Sequence, residues 1–168
     1  MNDCNPAKLL TLGERGANSR VQKAVFFLER ARQENLTTTK VMDAALQQVR
    51  YPTPFAAQLT RKALLGNLAS ARRYGCLDAA GLEQMQHGLS PTIRTGPSAG
   101  QELSVDHVIP RAVVPELDNV IANLRFLPAR KNQSKNDKVN KAARKLADEL
   151  YSAGLLSRYG YGLVRSHR

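Results

Sequence analysis

Cysteine is nearly absent from this chain: Cys4 and Cys76 are the only two in 168 residues. Two thiols cannot furnish paired Cys-x-x-Cys zinc knuckles or a disulfide framework, and a single bridge between them is the most they allow. Tryptophan is missing and aromatic residues make up 5% of the chain, which leaves little material for a base-stacking platform. No apolar run approaches the roughly 18–20 residues of a membrane span. The opening MNDCNPAKLLTLGERG carries an acid and a proline where a secretory signal needs a long apolar stretch. Acids are scarce beside bases, with 14 Asp and Glu against 25 Lys and Arg and a net charge of +11. Such a protein sits readily on polyanions, because Lys and Arg release the counterions condensed on a nucleic-acid backbone. Membranes and acidic proteins attract it too, so charge alone does not choose among them. The excess is evenly spread, thirteen bases to seven acids through Gly100 and twelve to seven after it. Neither half is a detachable basic tail.

The first hundred residues read as helices. The segment up to about Gly16, broken by Asn5-Pro6 and Gly13, is expected to be a loose arm or a short leading turn. From Ser19 to about Asn35, Val21, Ala24, Val25, Leu28 and Ala31 recur at the spacing of one helix face. A second helix is expected after the Thr37-Thr38-Thr39 caps, with Met42, Ala45, Leu46 and Val49 on one side and a stop at Pro52 and Pro54. The third and longest runs from about Pro54 to Tyr74 on a stripe of Phe55, Leu59, Ala63, Leu64, Leu65 and Leu68, and Gly75 closes it. A fourth starts at the Asp78 cap and stops at Gly88, with His87 at its exposed end. These helices suit a plain bundle better than a helix-turn-helix reader, since the turn lacks its marking glycine. GLSPTIRTGPSAG, from Gly88 to Gly100, is a loop or boundary: a linker, or a mobile segment with Arg94 reaching a phosphate.

Chemistry gathers between Ser104 and Lys138. Leu103, Val105, Val108 and Ile109 surround Asp106-His107 and stop at Pro110, which places the Asp-His pair on or beside a short strand. Val120, Ile121, Leu124, Phe126 and Leu127 form a second run ending at Pro128, and a helical turn follows with Asn132 and Lys135. The implied order is strand, loop, strand, helix. Neighbours on a strand point to opposite faces, so Asp106 and His107 share a site only if the ladder ends or kinks there. A neutral imidazole can take a proton from water near neutral pH, and a hard divalent cation on oxygen ligands can neutralise phosphate charge. Those needs assign His107 as base and Asp106 and Asn132 as cation ligands. Asn123, across the loop, can supply a carbonyl to the imidazole or brace the loop.

The pattern Asp106-His107-Val108-Ile109-Pro110, then Asn123-Leu124-Arg125-Phe126-Leu127, then Asn132-Gln133-Ser134-Lys135 resembles the HNH endonucleases of the ββα-metal superfamily. It is similar to the variant with a final Asn found in the HNH domain of CRISPR effector nucleases. Three spaced blocks in order make the resemblance more specific than a lone Asp-His, although it covers only about a fifth of the chain. It implies His107 as general base, Asn123 as the Asn that positions it, Asp106 and Asn132 as ligands of magnesium or manganese, and products with 5′-phosphate and 3′-hydroxyl ends. Two departures stand out. No zinc knuckles bracket the motif, so packing must hold the core. Arg130 lies two before Asn132, where some relatives carry an acid; Glu116 and Asp118 are the nearest loop acids to replace it, or else are simply solvated.

Downstream, Val139, Ala142, Ala143, Leu146 and Leu150 predict another amphipathic helix, and the segment from Tyr159 to Arg168, His167 included, reads as a flexible tail. Arg130, Lys131, Lys135, Lys138, Lys141, Arg144 and Lys145 form a run of bases with Asp137 the single acid among them. Beside a phosphodiester-cutting centre such a run suits a backbone clamp, to which Arg125 adds another base.

The expectation is thus a mainly helical α+β protein. A helical region over 1–95 packs on a small ββα-metal HNH core over 96–168 that includes a following helix, the two forming one compact unit. Its expected function is metal-dependent hydrolysis of DNA, double-stranded by preference, with no membrane partner and a cytoplasmic location. The competing readings are a non-enzymatic DNA-binding protein with a decayed nuclease motif, and a delivered nuclease toxin held by an acidic immunity protein.

Overall fold

The computed structural model describes residues 17–135 and 138–167, with side chains from 19 onward. The expected arm with Cys4, and Asn136, Asp137 and Arg168, lie outside the described residues. Among those described, seven α-helices accompany one two-stranded antiparallel sheet, a mainly helical α+β fold. None of these helices is long and apolar enough to cross a membrane.

The apolar spacings translate into helices nearly where they fall. Helix α1 (Ala17–Gln33) buries Val21, Ala24, Val25, Leu28 and Ala31. It ends at Asn35 in the left-handed conformation (φ 59°), with the Leu36 amide donating to the Ala31 carbonyl at 2.8 Å. Helix α2 (Thr38–Gln47) buries Met42 and Ala45, but Val49 is exposed beyond its end. Thr37 occupies its N-cap position without a side-chain cap bond, contrary to the capping role expected of the threonines. Helix α3 (Pro54–Arg73) is capped by the Thr53 hydroxyl, which accepts from the Ala56 amide at 3.1 Å, and closes at Gly75 (φ 66°). Its Phe55, assigned to the core stripe, is the second residue of the helix and is exposed. Helix α4 (Ala79–Gln86) begins at the Asp78 cap and leaves His87 exposed.

The expected loop from Gly88 to Gly100 is a loop that packs. Ile93 is buried and Thr92 bridges Glu102. Arg94 pairs with Asp78 at 3.2 Å, which ties down the guanidinium read as reaching for phosphate. Strands β1 (Leu103–His107) and β2 (Leu124–Pro128) follow, in a register that sets Val105 opposite Phe126, Asp106 opposite Arg125 and His107 opposite Leu124. Two short 3-10 turns, Pro115–Leu117 and Ile121–Asn123, lie between the strands. Helix α5 (Ala129–Lys135) leaves β2 directly and packs back on both strands.

The chain then forms α6 (Lys141–Ser152), capped by Asn140, which buries Ala143, Ala147 and Leu150 while Ala142 of the expected stripe is exposed. The reading of the last residues as a flexible tail is overturned. They form α7 (Arg158–Ser166), capped by Ser157, with Gly160 and Val164 buried against the body. Tyr-Gly-Tyr-Gly hid this helix because its glycines weaken local propensity. Gly160 is needed small: a Cβ there would lie 2.2 Å from Glu116 Oε1 and 2.7 Å from Leu156 Cδ1.

Two apolar clusters hold the fold. One joins α1 to α4 with Leu103, Val105, Leu124 and Phe126 of the sheet. The other joins Ala56 and Leu59 of α3 with Ile109, Val114 and Leu117 of the inter-strand loop and the inner faces of α6 and α7. Helix α3 belongs to both and is the wall on which the sheet and its loop are mounted. Each fully buried side chain such as Leu28, Leu117 or Leu150 contributes about 1.5–3 kcal/mol.

Candidate active site

The sheet's two faces have different work. Val105 and Phe126 turn into the helical core, whereas Asp106 and Arg125, opposite each other in the register, face α5. Only 5% of the Asp106 side chain is exposed, so its carboxylate must be compensated. Arg125 Nε donates to Oδ2 at 2.8 Å, and Lys135 Nζ, one α5 length away, donates to both oxygens at 3.0 Å. The same ammonium donates to the backbone carbonyls of His107 and of Val108, the latter at 3.1 Å. Lys135, expected among the DNA-gripping bases, is therefore directed inward, as Arg125 partly is.

Asn132, one turn earlier on α5, donates from Nδ2 to Ser104 Oγ at 3.1 Å and to the Val105 carbonyl at 3.2 Å. A carbonyl only accepts, so the amide orientation is set and Oδ1 is its acceptor end. The strand ends at His107, which releases the alternation: Asp106, His107, Asn132 and Lys135 line one polar cavity of about 320 Å³, walled by Pro110 and Arg111. The predicted imidazole, carboxylate and amide thus meet in a single concavity, with room for a phosphate.

His107 is held by a residue not assigned to it from the sequence. Its Nε2 lies 3.1 Å from both the backbone oxygen and the carboxylate Oδ1 of Asp118. The backbone oxygen only accepts, so Nε2 is the donor of this pair. Arg111 approaches the same Asp118 oxygen at 3.8 Å. From α1, Arg20 donates to the neighbouring Asn119 carbonyl at 2.6 Å and so fixes the loop from outside the motif. Burial draws that guanidinium below its ordinary pKa.

Asn123 acts on the loop rather than on the imidazole. Fully buried, it accepts from the Ile109 amide at 2.8 Å through Oδ1 and donates to the Ile109 carbonyl at 3.0 Å through Nδ2. Its backbone carbonyl accepts from the Val108 amide at 2.8 Å. The chain leaving His107 is thereby stapled to the start of β2, the bracing role left open for this residue. Glu116 is turned to α7, where Oε1 accepts from the Ser157 amide and hydroxyl. Of the two loop acids, Glu116 thus serves α7 and Asp118 serves His107.

Hard oxygen donors suit magnesium or manganese. Here the Asp106 carboxylate and the carbonyls of His107 and Val108 already converge on one cationic group, the Lys135 ammonium, and Asn132 shares their cavity. Asp106 and Asn132 are the side-chain oxygen donors this cavity would offer a hard cation, which would share the Asp106 carboxylate with Lys135 and Arg125. Arg130, Lys131, Lys138 and Lys141 are all exposed around α5 and the start of α6. Arg144, from the same basic run, instead caps the end of α7 by donating to the carbonyls of Val164, Arg165 and His167.

No family model, no curated protein and no solved structure matches this chain.

Proposed function

We propose that the protein is a metal-dependent endonuclease of the HNH type that hydrolyses DNA phosphodiester bonds. One observation carries this reading: the cavity shared by Asp106, His107 and Asn132, with the His107 imidazole oriented by Asp118. An oriented imidazole beside a carboxylate and an amide in one cavity is what hydrolysis by an activated water requires.

In this mechanism Asp118 keeps the proton of His107 on Nε2, and Nδ1 takes the proton of the attacking water. Asp106 and Asn132 would hold the cation through oxygen. When bound, magnesium, or manganese in its place, supplies positive charge against the phosphate and the departing 3′-oxygen. Arg125 and Lys135 add charge beside the scissile phosphate, and Arg130, Lys131, Lys138 and Lys141 grip the flanking backbone. Asn123 keeps the loop after His107 from drifting, a matter of positioning rather than of proton transfer.

The compensation of Asp106 by two side-chain cations also suits a DNA-binding protein whose catalytic centre has decayed. A panel of divalent metals against supercoiled DNA, linear duplex, single strand and RNA separates the two. Magnesium- or manganese-dependent products with 5′-phosphate ends support the nuclease; binding without product under every metal supports the decayed centre.

A further inference from the structure

A second concavity, of about 420 Å³, runs between α3, the outer edge of β2 and α6. One side of α3 lines it with Lys62, Gly66, Ser70 and Arg73, spaced at four, four and three, which is a single helix face about 16 Å long. That length spans several phosphates of one strand at about 3.4 Å per step. Among the described residues, Arg61 pairs with Asp43 and Arg72 with Glu29, whereas the exposed Lys62 and Arg73 form no ion pair; Arg73 instead lies over the Tyr74 ring at 4.7 Å and donates to its hydroxyl at 3.2 Å. Arg125, whose Nε also holds Asp106 at 2.8 Å, adds a third base, and Glu149 is the single acid among the described lining residues.

Gly66 is out of place in a helix interior on propensity alone, since glycine costs stability there relative to alanine. It is exposed, and nothing lies within 4 Å of where its Cβ would be. The gap lets a ligand backbone come close to the helix between the two bases. The strand edge beside it excludes another occupant. Asn67 Oδ1 accepts from the Phe126 amide at 2.7 Å and its Nδ2 donates to the Leu124 carbonyl at 3.0 Å, so a peptide adding itself to β2 would find these edge groups taken. The groove adjoins the candidate centre: Arg125 and Val108 line it, Arg125 holds Asp106 and the Val108 carbonyl holds Lys135.

We infer that this groove is the track for the sugar-phosphate backbone of one nucleic-acid strand, gripped by Lys62, Arg73 and Arg125 and admitted close to α3 at Gly66. The inference deepens the nuclease reading and rests on it for the path of the strand toward Asp106 and His107.

The test measures binding in EDTA, so that it does not depend on cutting. Fluorescent 20-nucleotide single strand and 20-base-pair duplex are titrated at several salt concentrations against wild type, Lys62→Gln/Arg73→Gln, and the charge-matched control Lys40→Gln/Arg50→Gln, whose exposed bases line no part of the groove. The groove variant should lose about 1.4 from the slope of log K against log salt for the single strand and about 1.8 for the duplex, with the control unchanged. Gly66→Leu should weaken binding without changing that slope, provided its circular dichroism matches wild type. Equal slopes and affinities for the groove variant and the control would overturn the groove, even if the protein proves to be a nuclease. A groove effect in a protein that cuts nothing would keep the groove and remove the nuclease.

Discussion

His107 takes its tautomer from Asp118, a residue eleven positions away that offers both a carbonyl and a carboxylate to Nε2. Removing the carboxylate leaves the carbonyl, so the ring loses orientation without losing its proton. Asp118→Ala should therefore slow metal-dependent cutting by about 10–100-fold, a smaller loss than the roughly 10²–10⁴-fold attached to a general base itself. Single-turnover rates measure it, and an unchanged rate would remove Asp118 from the site. Elsewhere, burial beside Asp78 pushes the Cys76 thiol up to about 11. An acid whose pKa is raised in the folded state stabilises the fold fully below its ordinary value near 9, and that contribution is lost as pH rises through about 11. At pH 8 the native thiol is thus protonated and covered. Iodoacetamide followed by peptide mapping should label Cys76 only in denaturant, and rapid native labelling would contradict the burial.

Among the elements, the β2 edge is the least self-sufficient, since a two-stranded sheet leaves outward amides and carbonyls without a third strand. Asn67 closes that edge from α3. Asn67→Ala would strand the Phe126 amide and the Leu124 carbonyl in the core, costing about 2–4 kcal/mol. The melting temperature should fall by roughly 5–15 °C in differential scanning calorimetry; a shift within one degree would mean the edge is satisfied another way. The sequence disclosed the elements themselves unevenly. Helix α1 was legible from its apolar spacing, α3 from its spacing and the closing Gly75, and α4 from its Asp78 cap and the stop at Gly88. The strands were legible because Pro110 and Pro128 bounded two short apolar runs. Helix α7 was not, because its glycines mask a structure that depends on Glu116, forty-one residues before Ser157, for its cap region. Val49 and Phe55 carried the right spacing but lie beyond or at the very ends of their helices, where a core face runs out.

For the whole molecule, the organising fact is that α3 serves both apolar clusters and so mounts the sheet and the inter-strand loop on one support. The meeting of Asp106, His107 and Asn132 could be anticipated, because their order follows a short strand–loop–strand–helix path. Partners set by tertiary folding could not: Arg20 reaches the loop from ninety-nine residues away, and Lys135 turns its charge inward only because α5 folds back over the sheet. A net charge of +11 is what the proposed binding to a polyanion would draw on, but the hydrolysis proposed for the molecule depends on one imidazole. The decisive measurement compares wild type with His107→Ala on supercoiled plasmid in magnesium and in EDTA, with melting temperature and DNA affinity recorded for both. Wild type should nick and linearise the plasmid only with metal, and the variant, equally folded and equally bound, should be slower by about 10²–10⁴-fold. Cutting at the wild-type rate by the variant, or no cutting by wild type in any divalent metal, would contradict the proposed chemistry.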